Sequence, residues 1–294
     1  MVLSASFAVR ILSTNCLATS FLMSARGVSP IVSSRRDSRS DLPQIDELIR
    51  IAKLNIFFID ENQIVRPEEI GSIDLIKQAA KRFEVGDGDI AEFELKTQFR
   101  CSGSDAYLQW LDRVLAISDS EAVSFDARMQ FKIFSNPSDM MAELRQRNLE
   151  KKNSARIVAG FCWPSLVNDV QFGEFSMPWE KKDTFWKWAT DDSGMEQVGT
   201  VCTAQGFEFD YIGVVFGNDL IYDWDKQKWR SVPENSHDTQ VKRKNTELAR
   251  HLRHVYRVLM SRAHRGVYVY FMDKETEKRF RSALPELRDT DNPT

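Results

Sequence analysis

The feature that most constrains this chain is a run of six residues, 211–216 (YIGVVF), with no charge and a wealth of β-branched and aromatic side chains. A segment of that kind has no face to turn to water, so it reads as a strand buried on both sides. Residues 267–271 (VYVYF) read as another such strand, and residues 157–161 (IVAGF) and 131–134 (FKIF) also read as strands. Helical patterns lie between them. A charged helix is expected over residues 139–151, and Leu248, Leu252, Val255 and Leu259 fall at i, i+4, i+7 and i+11 on one helix face. Strands alternating with helices predict an α/β fold, a mostly parallel sheet covered on both faces.

Upstream, Ile45, Leu48, Ile49 and Ala52 predict a helix over residues 42–54, with Asn55 as punctuation before a short strand at 56–59. Asp60, Glu61, Asn62 and Gln63 then stand at the carboxyl end of that strand, where parallel sheets bind ligands. Ser72 is placed to N-cap a helix carrying Ile73, Ile76, Ala79 and Ala80. Another helix is expected from Leu108, Leu111, Val114 and Leu115. Residues 172–188 hold Phe172, Phe175, Trp179, Phe185, Trp186 and Trp188, suited either to closing a hydrophobic hairpin or to stacking unpaired bases. Residues 223–246 are polar and read as an exposed insertion.

Composition narrows the classes. With 42% hydrophobic and 28% charged residues over 294 positions, the chain has the make-up of an ordinary globular protein. A net charge of −3 means that affinity for nucleic acid must come from a local patch. Cys16, Cys101, Cys162 and Cys202 are isolated, which suits free thiols in a reducing compartment. No apolar run reaches the ~18 residues of a membrane span. The first 36 residues carry Arg10, Arg26, Arg35 and Arg36 with no acid before Asp37. That start reads as a transit-like or mispredicted segment, and the expected location is cytoplasmic, or organellar if the segment is a transit peptide.

Four stretches carry chemistry. Residues 203–210 (TAQGFEFD) lead into the strand at 211, and residues 261–266 (SRAHRG) follow the late helix, with Gly266 expected to supply its break. T-x-QG-x-E-x-D and S-R-A-x-R-G resemble motifs V and VI of superfamily 1 helicases. Residues 57–67 (FFIDENQIVRP) resemble motif III and residues 95–105 (LKTQFRCSGSD) motif IV. With ARIVAGFCW at residues 155–163, the wording is similar to the Schlafen-group-3-type DNA/RNA helicase domain, over roughly residues 41 to 284. The resemblance implies a RecA-like fold, with residues 41–90 a remnant of a first core domain, residues 91–285 a second one, and residues 1–40 and 286–294 lying outside both.

It also implies roles. Arg262 and Arg100 would face the γ-phosphate of ATP, where a planar fork meets developing charge, and Gln63 would sense that phosphate or the attacking water. Gln205, Gly206, Glu208 and Arg265 would serve the nucleotide, and Thr203, Arg257 and Lys242 the DNA or RNA strand. From the residues themselves, the stretch from Lys242 to Arg265 holds eight Lys or Arg against the single acid Glu247, a charge able to neutralise phosphates. His251 and His254 stand three apart with no third ligand close by, so a metal is not expected there.

One departure matters. Hydrolysis of ATP with Mg²⁺ needs G-x-x-x-x-G-K-[ST] and a D-E-A-H-like acidic strand end, both upstream of the motif III stretch, and residues 1–40 contain neither. The expectation is therefore the C-terminal part of a helicase- or translocase-like NTPase that is unable to hydrolyse ATP alone, a truncated product or one half of a split enzyme whose first domain a separate chain supplies. The alternative is a non-catalytic nucleic-acid-binding or regulatory module. A metal-independent nuclease has the weakest support, for want of a carboxylate cluster.

Overall fold

The computed structural model describes residues 8–13, 18–22, 43–59, 72–94, 101, 104–119, 129–164, 169–181, 184–238, 242 and 247–284. The chain divides into two compact units, Met1–Phe99 with Thr239–Val255, and Arg100–Asp238 with Tyr256–Thr294.

In the first unit, strands β1 (Ala8–Ser13), β2 (Ala18–Leu22), β3 (Ala52–Ile59) and β4 (Ile90–Glu94) form a sheet in the order β2-β3-β1-β4. β1 runs antiparallel to β3 and β4, and β2 parallel to β3. Two strands thus come from the acid-poor opening residues. Helices α1 (Gln44–Ile51) and α2 (Ile73–Arg82) supply Ile45, Ile49, Ile76, Ala79 and Ala80 to a core shared with Phe57 and Val85. Ser72 caps α2 as expected, its Oγ accepting from the Leu75 amide at 3.1 Å. The helix expected to run to residue 54 stops at Ile51, and the strand takes Ala52 onward, with Asn55 inside it and 2% exposed. Pairing on both edges decides this boundary, because β3 is flanked by β2 and β1.

The second unit is built on five strands, β5 (Gln130–Phe134), β6 (Ala155–Ala159), β9 (Val198–Gly199), β10 (Phe209–Phe216) and β13 (Ala263–Phe271). Their order is β5-β13-β10-β6-β9, every neighbouring pair parallel. This is the parallel α/β sheet that the apolar runs predict, in the RecA-like class that the resemblance implies. On one face α4 (Pro137–Glu150) sets Met140, Met141 and Leu144 against Ile157, Tyr211, Val215 and Tyr268. On the other, Phe216 stacks on Tyr256 of α7 (Leu248–Met260) with 3.7 Å between centroids. Phe280 of α8 (Lys274–Ala283) and Trp110 of α3 (Asp105–Val114) meet Phe131 on that same face.

Two expectations change here. Gly266 does not end the late helix; α7 stops at Met260 and Gly266 sits inside β13, opposite Tyr211. A Cβ at Gly266 would come within 2.8 Å of the Tyr211 ring, so packing, not a break, asks for glycine. Nor are residues 223–231 an exposed insertion. β11 (Leu220–Asp223) and β12 (Lys228–Ser231) form a hairpin whose Trp229 is 7% exposed and donates its indole N–H to the Val114 carbonyl at 3.0 Å. Burial at alternate positions, Leu220 and Tyr222 on one strand and Trp229 on the other, outweighs polar composition. The aromatic stretch likewise contains a hairpin, β7 (Asp169–Phe172) with β8 (Phe175–Pro178), followed by the short helix α5 (Phe185–Thr190).

Candidate functional site

The segment that resembles motif V begins at the carboxyl end of β9. Thr200 N-caps the one-turn helix α6 (Val201–Ala204). The carboxylate of Glu180 gathers this turn: one oxygen accepts from the Thr200 amide at 3.1 Å, the other from the hydroxyls of Thr200 and Thr203 at 2.8 Å each. Burial pushes the Glu180 carboxyl above the ordinary range, and the threonine hydroxyls pull against that. Thr203 and Gln205 are 7% and 6% exposed, so neither offers its side chain freely to solvent. Gly206 is exposed, and a Cβ there would meet only the Thr203 carbonyl at 3.6 Å. Nothing within the described residues requires glycine at that turn.

From Gly206 the chain crosses to the amino edge of the sheet, where the motif V and motif VI segments lie side by side. The Phe209 amide donates to the Arg262 carbonyl at 3.0 Å, and Phe209 registers with Ala263. Glu208 accordingly faces His264, carboxylate to ring nitrogen at 3.2 Å. Asp210 pairs elsewhere, with Lys151 at 2.8 Å. Arg262 is 1% exposed and folded onto the end of its own helix, Nε donating to the Val258 carbonyl at 3.0 Å and Nη2 to Ser261 Oγ at 3.2 Å. Arg265 is exposed. Arg257, 8% exposed, forms a two-point pair with Asp112 of α3. Lys242 is half-buried. Gln63 and Arg100 lie outside the described residues.

A second cluster, which sequence reasoning missed, closes the carboxyl edge. β6 and β10 are neighbours whose connections leave in opposite directions, toward β9 and toward β13. In open parallel sheets that switch point is the usual ligand crevice. Here the chain fills it. Tyr256 OH donates to Asp219 Oδ1 at 2.7 Å and accepts from the Gly217 amide at 2.9 Å, and Cys162 Sγ lies 3.6 Å from the same hydroxyl. A Cβ at Gly160 would come within 2.5 Å of Tyr256 OH, and one at Gly217 would overlap Cys162 Sγ. Burial raises the Asp219 carboxyl, the Cys162 thiol and the Tyr256 phenol above their ordinary values. The signal for Asp219 was in plain view, an acid two residues past the glycine that ends an apolar strand.

Among the described residues no group of three His, Cys, Asp or Glu could hold a metal ion, and no helix there is long and apolar enough to cross a membrane.

The parallel sheet, with two helicase-like motifs joined at its amino edge, defines an α/β domain of RecA-like class. A family model for the Schlafen group 3, DNA/RNA helicase domain matches residues 29–273, and the chain belongs to that family. It is also similar to the uncharacterized protein YPL245W of Saccharomyces cerevisiae, 25% identical over 214 residues, which cover 64% of this chain and 47% of that protein. The chain thus spans about half the length of this curated relative.

Proposed function

We propose that this chain acts as the nucleic-acid-engaging, arginine-bearing part of an ATP-dependent helicase or translocase-like NTPase, and does not turn over ATP by itself. The observation that carries the reading is the backbone joint between Phe209 and Arg262, which sets the motif V and motif VI segments next to each other in a family member. In this reading Arg262, Arg100 and Gln63 address the γ-phosphate of ATP. Gln205, Gly206, Glu208 and Arg265 serve the nucleotide, and Thr203, Arg257 and Lys242 the DNA or RNA strand. ATP arrives with Mg²⁺ whose ligands come from a first RecA-like domain outside these 294 residues. Two of the arginines have something to give up first: Arg262 reaches a phosphate only by releasing Val258 and Ser261, and Arg257 only by leaving Asp112.

The experiment is an ATPase assay on the purified chain, with and without single-stranded DNA or RNA. The expected result is no turnover above blank in either case. Turnover that Arg262→Ala abolishes would overturn the proposal that the chain is inactive alone.

A second reading, a non-catalytic nucleic-acid-binding or regulatory module, is favoured by the closed crevice at Tyr256 and Cys162. Strand affinity that ignores ATP·Mg²⁺ supports this module. Affinity that shifts with the nucleotide supports the first reading.

A further inference from the structure

Phe185 and Trp186 stand out of the second unit, 42% and 48% exposed, edge to face with 5.4 Å between ring centroids. They sit on α5, six residues long, and a helix that short has little stability of its own. What fixes these rings is therefore the structure underneath them, and that structure is heavily built.

Two buried side chains hold the underside, Trp188 and Arg156. Trp188, 1% exposed, donates its indole N–H to the Gln197 carbonyl at 3.2 Å and meets Phe209 edge-on at 5.4 Å. Its ring occupies the space beside Gly199 where a Cβ would overlap it. Arg156 comes from β6, is 0% exposed, and donates to the carbonyls of Trp188, Ala189 and Asp191 at 2.5, 3.0 and 2.9 Å. Burial brings its guanidinium down to about 10, which leaves it a cation at neutral pH. A positive charge on the last carbonyls of a helix is the favourable sign. Gly199 and Phe209 lie on either side of residues 200–208, so α5 is seated on both flanks of the motif V segment.

Two large apolar rings are thus held rigidly in water by a buried cation and a buried tryptophan. Lys181 and Lys187 are exposed beside them in sequence, with no ion-pair partner among the described residues, and α5 carries no acid. Aromatic faces with flanking lysines suit unpaired bases on a phosphate backbone. They suit a protein interface less well, because lysine is depleted from the centres of such interfaces. We propose that Phe185 and Trp186, with Lys181 and Lys187, form a base-stacking site for single-stranded nucleic acid. The proposal rests on the nucleic-acid reading above for its class of ligand, and deepens it by naming where bases are gripped.

The test is fluorescence anisotropy of short labelled oligothymidylate and oligouridylate with the full chain. Phe185→Ala/Trp186→Ala is expected to weaken binding roughly tenfold or more, while Trp186→Phe keeps most of the affinity. Lys181→Gln/Lys187→Gln is expected to flatten the slope of log affinity against log salt by about 1.4, the release of two counterions from a single strand. The alanine chain should unfold at the wild-type temperature, since both rings are exposed. If it loses its unfolding transition, Trp186→Gln and the lysine pair carry the test instead. Wild-type affinity in the ring variants would overturn the stacking site and leave the broader nucleic-acid reading standing. No binding of either strand by the wild-type chain would overturn both. Loss of self-association in the alanine chain, with strand affinity unchanged, would assign the rings to a protein contact and overturn the proposal.

Discussion

Asp219 is a carboxyl group 0% exposed whose Oδ1 takes the Tyr256 hydroxyl while Oδ2 has no hydrogen-bond partner among the described residues. Ionising it there is costly, and burial raises its pKa. The sign follows. A carboxyl raised in the folded state contributes stability below its unfolded value, and that contribution is lost as pH climbs through the folded one. Asp219→Asn keeps the oxygen that Tyr256 uses and removes the titration. Its melting temperature relative to wild type should therefore rise as pH climbs from the ordinary aspartate value of 3.8 to neutral, read by thermal unfolding at each pH. A constant difference across that range would mean that Asp219 does not titrate against folding. Gly206 makes the opposite kind of case. Because a Cβ there meets only the Thr203 carbonyl, at an ordinary contact distance of 3.6 Å, Gly206→Ala should leave the melting temperature within about 1 °C of wild type, as surface changes of ±0.5 kcal/mol do. Any loss of strand or nucleotide binding in that variant then reports the approach of a ligand, because the fold gives alanine no reason to fail.

At the scale of elements, the apolar runs were legible because they are long and lack charge, and β10 and β13 lie where 211–216 and 267–271 put them. Their starts were not, because Phe209 and Ala263 join the sheet through the register shift between Phe209 and Tyr211, a tertiary event. The β11–β12 hairpin is hidden in the sequence for a different reason: Leu220, Tyr222 and Trp229 are buried at alternate positions, but lysines, aspartates and an arginine mask the period. Arg156 was the sharpest signal left unused. An arginine inside a strand whose five residues are all buried must have partners waiting. Arg156→Met should orphan three carbonyls of the α5 end, at about 1–3 kcal/mol apiece, and free the segment 181–196 to limited proteolysis. Arg156→Lys should recover little, because one ammonium cannot span carbonyls that a planar fork reaches together. Equal protease resistance in the wild-type and Met chains would mean that α5 stands without the arginine. Gly199→Ala tests the same seat from the other side. Its methyl would drive into the Trp188 ring and should cost about 1–3 kcal/mol, seen as a lower melting temperature.

For the whole molecule the question is how much of its charge can act on a polyanion. The basic stretch of residues 242–265 looks formidable as sequence, eight cations against one acid. Folding spends several of them. Arg257 is held by Asp112, Arg250 pairs with Glu247 at 3.1 Å, and Arg262 is buried on its helix end. Local charge pairing is invisible in a linear count, because Asp112 lies 145 residues from Arg257 in the chain. That is why the motif order could be read from the sequence while the exposure of its arginines could not. With a net charge of −3 there is no general field to compensate. Single-strand binding should therefore depend on salt only modestly, with log affinity falling against log salt at a slope of about −2 to −3, as for three or four neutralised phosphates. Titrating the wild-type chain with oligothymidylate across a salt series measures it. A slope of about −6 or steeper would mean that the arginines now committed to Asp112, Glu247 and the α7 end turn outward when the strand arrives, and that the bound form differs from the structure described here.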